Sequence, residues 1–127
     1  MKTAILLLSA IVSAFAVAPA RACGVCDEDK VAATYDHTIV QRAASKGRVV
    51  VYCAVRGPLD AKRLRLAARQ VKGLDLRSLR TSQQPAAVSF ALDGAGQTPQ
   101  AAVSALQANL PQGTELAIVG LNGAPSR

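Results

Sequence analysis

A chain of 127 residues suffices for one domain with a modest core, and three cysteines beside a single histidine leave little material for catalysis. Fifteen Lys and Arg against eight Asp and Glu give a net charge of +7, which suits an acidic protein surface or anionic headgroups. Aromatic residues make up only 3% of the chain, too few to stack bases, which argues against a nucleic-acid partner.

The N-terminus reads as an export signal. Lys2 supplies the positive start, Ala4 to Ala18 is uncharged and apolar, and Ala20-Arg21-Ala22 fits the small-x-small cleavage rule. The apolar run is shorter than the roughly 20 residues that a membrane-spanning helix needs. Removing 22 of the 127 residues leaves 105, starts the mature chain at Cys23, and lowers the charge to +5 by deleting Lys2 and Arg21. The expected location is therefore periplasmic or secreted. Acylation of Cys23 would tie the protein peripherally to a membrane, but Ala20 and Arg21 suit that processing poorly.

Asp27 to Ala44 is predicted as one amphipathic helix, with Val31, Tyr35 and Ile39 recurring at i, i+4, i+8 beside Ala32 and Ala43. Asp27, Glu28 and Asp29 occupy its first turn, where negative charge meets the positive end of the helix dipole. Ser45-Lys46-Gly47 ends it. Val49 to Val55 follows as a strand with two apolar faces: Val49, Val51, Cys53 and Val55 on one, Val50, Tyr52 and Ala54 on the other.

Gly57-Pro58 breaks that strand and opens a helix near Pro58 or Leu59, whose buried stripe is Leu64, Ala67, Ala68 and Val71. Lys62, Arg65, Arg69 and Lys72 form a basic stripe beside it, with Leu66 exposed. Leu74 to Thr81 is a weaker strand, Ser82 to Pro85 a turn, and Ala86 to Asp93 a returning strand with Val88, Phe90 and Leu92 inward. Thr98 and Pro99 start a second helix that buries Ala102, Val103, Leu106 and Leu110. Thr114 to Leu121 is the last strand. The plan is 1–22 signal peptide, 23–47 Cys-x-x-Cys and helix, 48–121 main domain, and 122–127 flexible tail.

Strand, helix, strand, strand, helix, strand is the split βαβ order, so the expected class is α+β: a ferredoxin-like βαββαβ sandwich with an additional N-terminal helix. The second sheet face carries Val50, Tyr52, Ala54, Ala87, Ser89, Ala91, Ala117 and Val119, with no charge among them. It therefore needs a cover, either the leading helix through Val31, Tyr35 and Ile39 or a second copy of the chain.

From Val49 to Leu121 the chain resembles the heavy-metal-associated domain of copper and mercury chaperones and of metal-pumping ATPases. The likeness is carried by the first strand, by Val71-Lys72-Gly73-Leu74, by Leu76-Arg77-Ser78-Leu79 with Ala87-Val88-Ser89-Phe90, and by Thr98-Pro99-Gln100-Ala101-Ala102. The resemblance implies soft-metal binding by a Cys-x-x-Cys in the loop after the first strand. Here Gly57 and Asp60 stand at those positions, and the chain's Cys-x-x-Cys is Cys23-Gly24-Val25-Cys26, ahead of the leading helix.

Cys23 and Cys26 are spaced to reach one ion, and soft thiolates favour Cu(I), Zn(II) or Hg(II); two suffice for Cu(I), whereas zinc normally takes four ligands. The same spacing fits a small-loop disulfide or a thiol–disulfide protein, since three cysteines in an oxidising compartment leave one over. Cys53 and His37 are the further candidate ligands. Cys53 shares a face with Val49, Val51 and Val55, as a buried thiol would. On a continuous helix His37 lies eleven residues beyond Cys26, about 16 Å at 1.5 Å per residue. The basic stripe Lys62/Arg65/Arg69/Lys72 offers a surface to an acidic partner or to a metal donor or acceptor protein. With no Gly-rich phosphate loop and no convergent acid pair, no enzymatic activity is expected. The expected function is an exported metal-binding protein for copper or a similar soft metal, in a chaperone or sequestering role. The alternatives are a non-catalytic interaction domain with a structural disulfide and a periplasmic thiol–disulfide protein.

Overall fold

The protein is described here by a computed structural model of residues 26–123; the predicted signal peptide, Cys23 and residues 124–127 lie outside them. The elements are α1 (Asp27–Thr34), α2 (His37–Ser45), β1 (Val49–Arg56), α3 (Ala61–Ala68), β2 (Leu74–Gln83), β3 (Ala86–Leu92), α4 (Pro99–Ala108) and β4 (Glu115–Asn122). The strands form one antiparallel sheet in the order β2-β3-β1-β4. From β1 onward this is the ferredoxin-like α+β plan. The last strand runs through Asn122, so the chain stays ordered into the segment expected as a tail.

β1 is central, and both its faces are apolar. Val49, Val51 and Cys53 pack with Val88, Phe90 and Leu92 of β3 under α3 and α4. α3 contributes Leu64, Ala67 and Ala68, followed by Val71, and α4 contributes Ala102, Val103 and Leu106. α3 begins later than Pro58 or Leu59, because the Asp60 carboxylate accepts the Lys62 N–H at 2.9 Å and so caps the helix. Thr98 caps α4 through the Ala101 N–H at 3.2 Å, with Pro99 as its first residue. The loops at one end of the sheet touch: the Thr114 hydroxyl donates to the Pro58 carbonyl at 2.6 Å. Gly57 sits there with φ +90°, and a Cβ added to it would lie 1.9 Å from the Gly113 carbonyl oxygen.

The other face carries a second core of Val50, Tyr52 and Ala91 with Ile39 and Ala43, completed by half-buried Val31, Val40 and Val119. The N-terminal segment thus covers the sheet, but as two helices rather than one. Tyr35 and Asp36 are extended, and the Asp36 carboxylate caps α2 by accepting the N–H groups of Thr38 (2.9 Å) and Ile39 (3.3 Å). A capping aspartate competes with helix continuation, so the chain bends where periodicity alone runs on. The bend turns Tyr35 out to 48% exposure and removes it from the expected stripe, while Val31 and Ile39 keep theirs. Gly120 permits the close approach of α1: a Cβ there would stand 3.1 Å from the Val31 side chain.

Both sheet edges are irregular. β2 pairs Asp75 with Ala91 and next Arg80 with Ser89, so it holds three extra residues. The buried Ala91 N–H, displaced from the ladder, donates to the Ser78 hydroxyl at 2.7 Å. On the far edge, Tyr52 pairs with Gly120 but Cys53 with Ile118, a one-residue bulge in β4. Such edges resist pairing with further strands.

Gly57→Ala is expected to cost roughly 1–3 kcal/mol, from strain at positive φ plus the carbonyl contact, read as a lower denaturant midpoint. Gly47→Ala, which meets no atom within 4 Å, should cost less. Ile39→Ala should destabilise by about 2–5 kcal/mol in thermal unfolding, because Ile39 of α2 is buried in the second core. Tyr35→Ala should stay within about 0.5 kcal/mol.

Candidate metal-binding site

The site builds from Cys26, which caps α1 with an extended backbone (φ −70°, ψ 160°) and is exposed. Asp29 reaches back to accept the Cys26 N–H at 3.2 Å, one half of a capping box at the helix start. Asp27, Glu28 and Asp29 surround this start with exposed carboxylates, and Lys30 pairs with Asp27 at 3.4 Å. One turn along, Lys30 lines a hollow with Ala54, Arg56, Glu115 and Ala117. Val31 then meets Gly120 and Thr34 meets Ser89, whose hydroxyl donates to the Thr34 carbonyl at 3.2 Å. α1 therefore starts at the sheet end where β1 leaves for the Gly57–Asp60 loop. The fold thus carries Cys26 to that end from the face opposite α3 and α4.

Cys53 lies at 0% exposure in the core beneath α3 and α4. The sheet separates it from α1, and the structure does not bring it to Cys26. Burial pushes its thiol up to about 12, so it stays protonated at neutral pH. Cys23 lies outside the described residues. Among the described residues, neither cysteine is in a disulfide and no three His, Cys, Asp or Glu side chains converge to hold a metal ion.

His37 opens α2 and does not extend a helix begun at Cys26, so its separation from Cys26 cannot be reckoned along one axis. Its Nδ1 stands 3.3 Å from the Tyr35 hydroxyl, at the elbow between α1 and α2. Asp36, between them, also pairs with Arg80 at 3.4 Å. The Ile39 N–H first, then the Thr38 N–H and the Arg80 guanidinium, hold its carboxyl below the usual range. Its contribution to folding is thus present above the ordinary carboxylate pKa and fades as pH falls through it. Under the elbow, the Tyr52 hydroxyl and Thr34 Oγ1 are buried without hydrogen-bond partners among the described residues. Burial, then Tyr35 and Asp36, raises the Tyr52 phenol. Sequence periodicity missed this elbow; the available signal was Asp36 two residues before Thr38, an N-cap placed ahead of Ile39.

No family model, curated protein or solved structure matches the chain.

Of the expected basic stripe, Lys62, Arg65, Arg69 and Lys72 are all exposed, and none is ion-paired among the described residues. They belong to α3 and its exit, on the sheet face opposite α1.

In the native protein, an aromatic disulfide reagent near pH 8 should leave Cys53 unmodified, and denaturant should release one further reactive thiol. Prompt native modification of Cys53→Ser and wild type to different extents would contradict its burial. Because the folded state keeps the Cys53 proton where the unfolded thiol, ordinarily near 9, loses it, this group's contribution is complete below about 9 and lost as pH climbs towards about 12.

Proposed function

We propose that this is an exported protein that binds a soft metal ion through Cys23 and Cys26 and passes on or sequesters it. The observation that carries the reading is the contrast between the two described thiols. Cys26 is exposed at the start of α1, three positions after Cys23 in sequence, whereas Cys53 is sealed in the core. Solvent-facing thiolates are the nucleophiles and soft-metal ligands of a protein, and buried neutral thiols are inert. The donor set fits the ion: paired sulfurs suit Cu(I), which accepts two ligands, and the carboxylates of Asp27, Glu28 and Asp29 draw cations to the same end.

As cargo, the ion would move by exchange of one thiolate at a time with a donor or acceptor that carries its own pair. What this chain supplies is placement. The capping hydrogen bond from Cys26 to Asp29 anchors the second cysteine to a helix docked on the sheet. The first cysteine precedes that anchor and completes the pair.

Competition for Cu(I) against a chromophoric chelator tests the reading on freshly reduced protein. One ion should bind per chain, Cys23→Ser and Cys26→Ser should each abolish tight binding, and Cys53→Ser should leave it unchanged. Thiols that appear only after reduction, with no metal uptake afterwards, would instead mark Cys23 and Cys26 as a structural disulfide.

A further inference from the structure

On the sheet face away from Cys26, α3 presents an arrangement that its core does not require. Leu66 is 52% exposed. Residues three and four positions away are its neighbours on a helix surface, and here they are Lys62, Arg63, Arg69 and Gln70. Three cations thus ring one exposed leucine. Of these, only Arg63 has an acidic partner among the described residues, Asp60, at 3.8 Å with both groups exposed. Beside Leu66 the surface dips into a shallow, open depression. A hollow of about 540 Å³ runs between α3 and the end of α4, lined by Arg63, Leu66, Ala67, Gln70, Ala108 and Leu110. A second, of about 230 Å³, continues it towards Leu59 and Thr114, and both share Arg63, Leu110 and Pro111.

We propose that this groove docks an acidic, amphipathic segment of a partner protein, with an apolar side chain seated against Leu66 and Ala67 and carboxylates on Lys62, Arg63 and Arg69. Charge complementarity selects the occupant: an apolar floor wants an apolar anchor, and the cations around it, two of them without an acidic partner among the described residues, want carboxylates. Shape favours a peptide over a lipid surface, because a single side chain can enter the shallow depression between the two helices whereas a bilayer presents a plane. A second copy of the chain would have to present its α1 carboxylates Asp27, Glu28 and Asp29, and concentration-dependent shifts of the groove amides without any peptide would reveal it and overturn the proposal. The predicted stripe is thereby redrawn. Lys62 and Arg69 flank the groove, Arg63 joins them, and Arg65 and Lys72 lie further round α3. The proposal does not depend on metal binding at Cys23 and Cys26; of that pair, the described Cys26 precedes α1, which covers the other face of the sheet.

Amide chemical shifts of the ¹⁵N-labelled protein provide the test, with a synthetic helix bearing leucines at i, i+4 flanked by glutamates as probe. Saturable shifts are expected at Leu66, Gln70, Ala108 and Asn109. Leu66→Asp should weaken binding about tenfold or more, equivalent to at least about 1.4 kcal/mol. Lys62→Glu with Arg69→Glu should weaken it similarly, whereas Arg77→Glu, on β2, should leave it unchanged. Chemical-shift dispersion of each variant shows that it folds. Unmoved groove amides, equal binding of a peptide with lysine in place of glutamate, or wild-type affinity in Leu66→Asp would each overturn the proposal. So would phosphatidylglycerol vesicles that perturb these amides when the peptide does not.

Discussion

The constraint behind the whole structure is that β1 is apolar on both sides. Val49, Val51 and Cys53 point one way and Val50 and Tyr52 the other, and all five are buried. A half-solvated antiparallel sheet would need polar residues on one face. This one must be covered twice. α3 and α4 close one side as the ferredoxin-like plan dictates, and the N-terminal segment closes the other through Ile39, Ala43 and Val31. Each fully buried Val or Leu here contributes roughly 1.5–3 kcal/mol, so a sheet stripped of either cover would forfeit several such contributions.

The second cover also fixes the chemistry. α1 is short and weakly amphipathic, yet Val31 over Gly120 and Thr34 over Ser89 set its direction across the strands. Its start, and therefore Cys26, is delivered to the end of the sheet that bears the Gly57–Asp60 loop. The elbow at Tyr35 and Asp36 allows this path: a straight helix would carry its second half on along one axis, whereas the bend lets α2 settle over Ala91 near the Arg48–Asp75 ion pair at 3.1 Å. The two faces are thereby given different surfaces, acidic around Cys26 and basic along α3. The proposed metal-binding thiols and the proposed docking groove would therefore not compete for the same ground.

Much of this was legible in advance. The alternation through Val49 to Val55, the Leu64/Ala67/Ala68/Val71 stripe, and the Thr98-Pro99 start all record short-range rules, period two or 3.6 and capping, that act within a few residues. The two-sided β1 even required the second cover. The boundaries that slipped did so for equally local reasons: Asp60 moved the start of α3, and Asp36 divided the leading helix, each a side chain outcompeting the backbone periodicity around it.

What the sequence determined by itself was the order of elements, the two apolar faces, and the rarity of chemically able side chains. The tertiary structure alone decided where those side chains stand. It sealed Cys53 while leaving Cys26 in solvent, turned Tyr35 outward beside His37, and opened a groove beside Leu66 between helices distant in the chain. Those outcomes depend on crossing angles, bulges and close approaches such as Gly120 against Val31, which arise between segments far apart in sequence. No window of neighbouring residues encodes them.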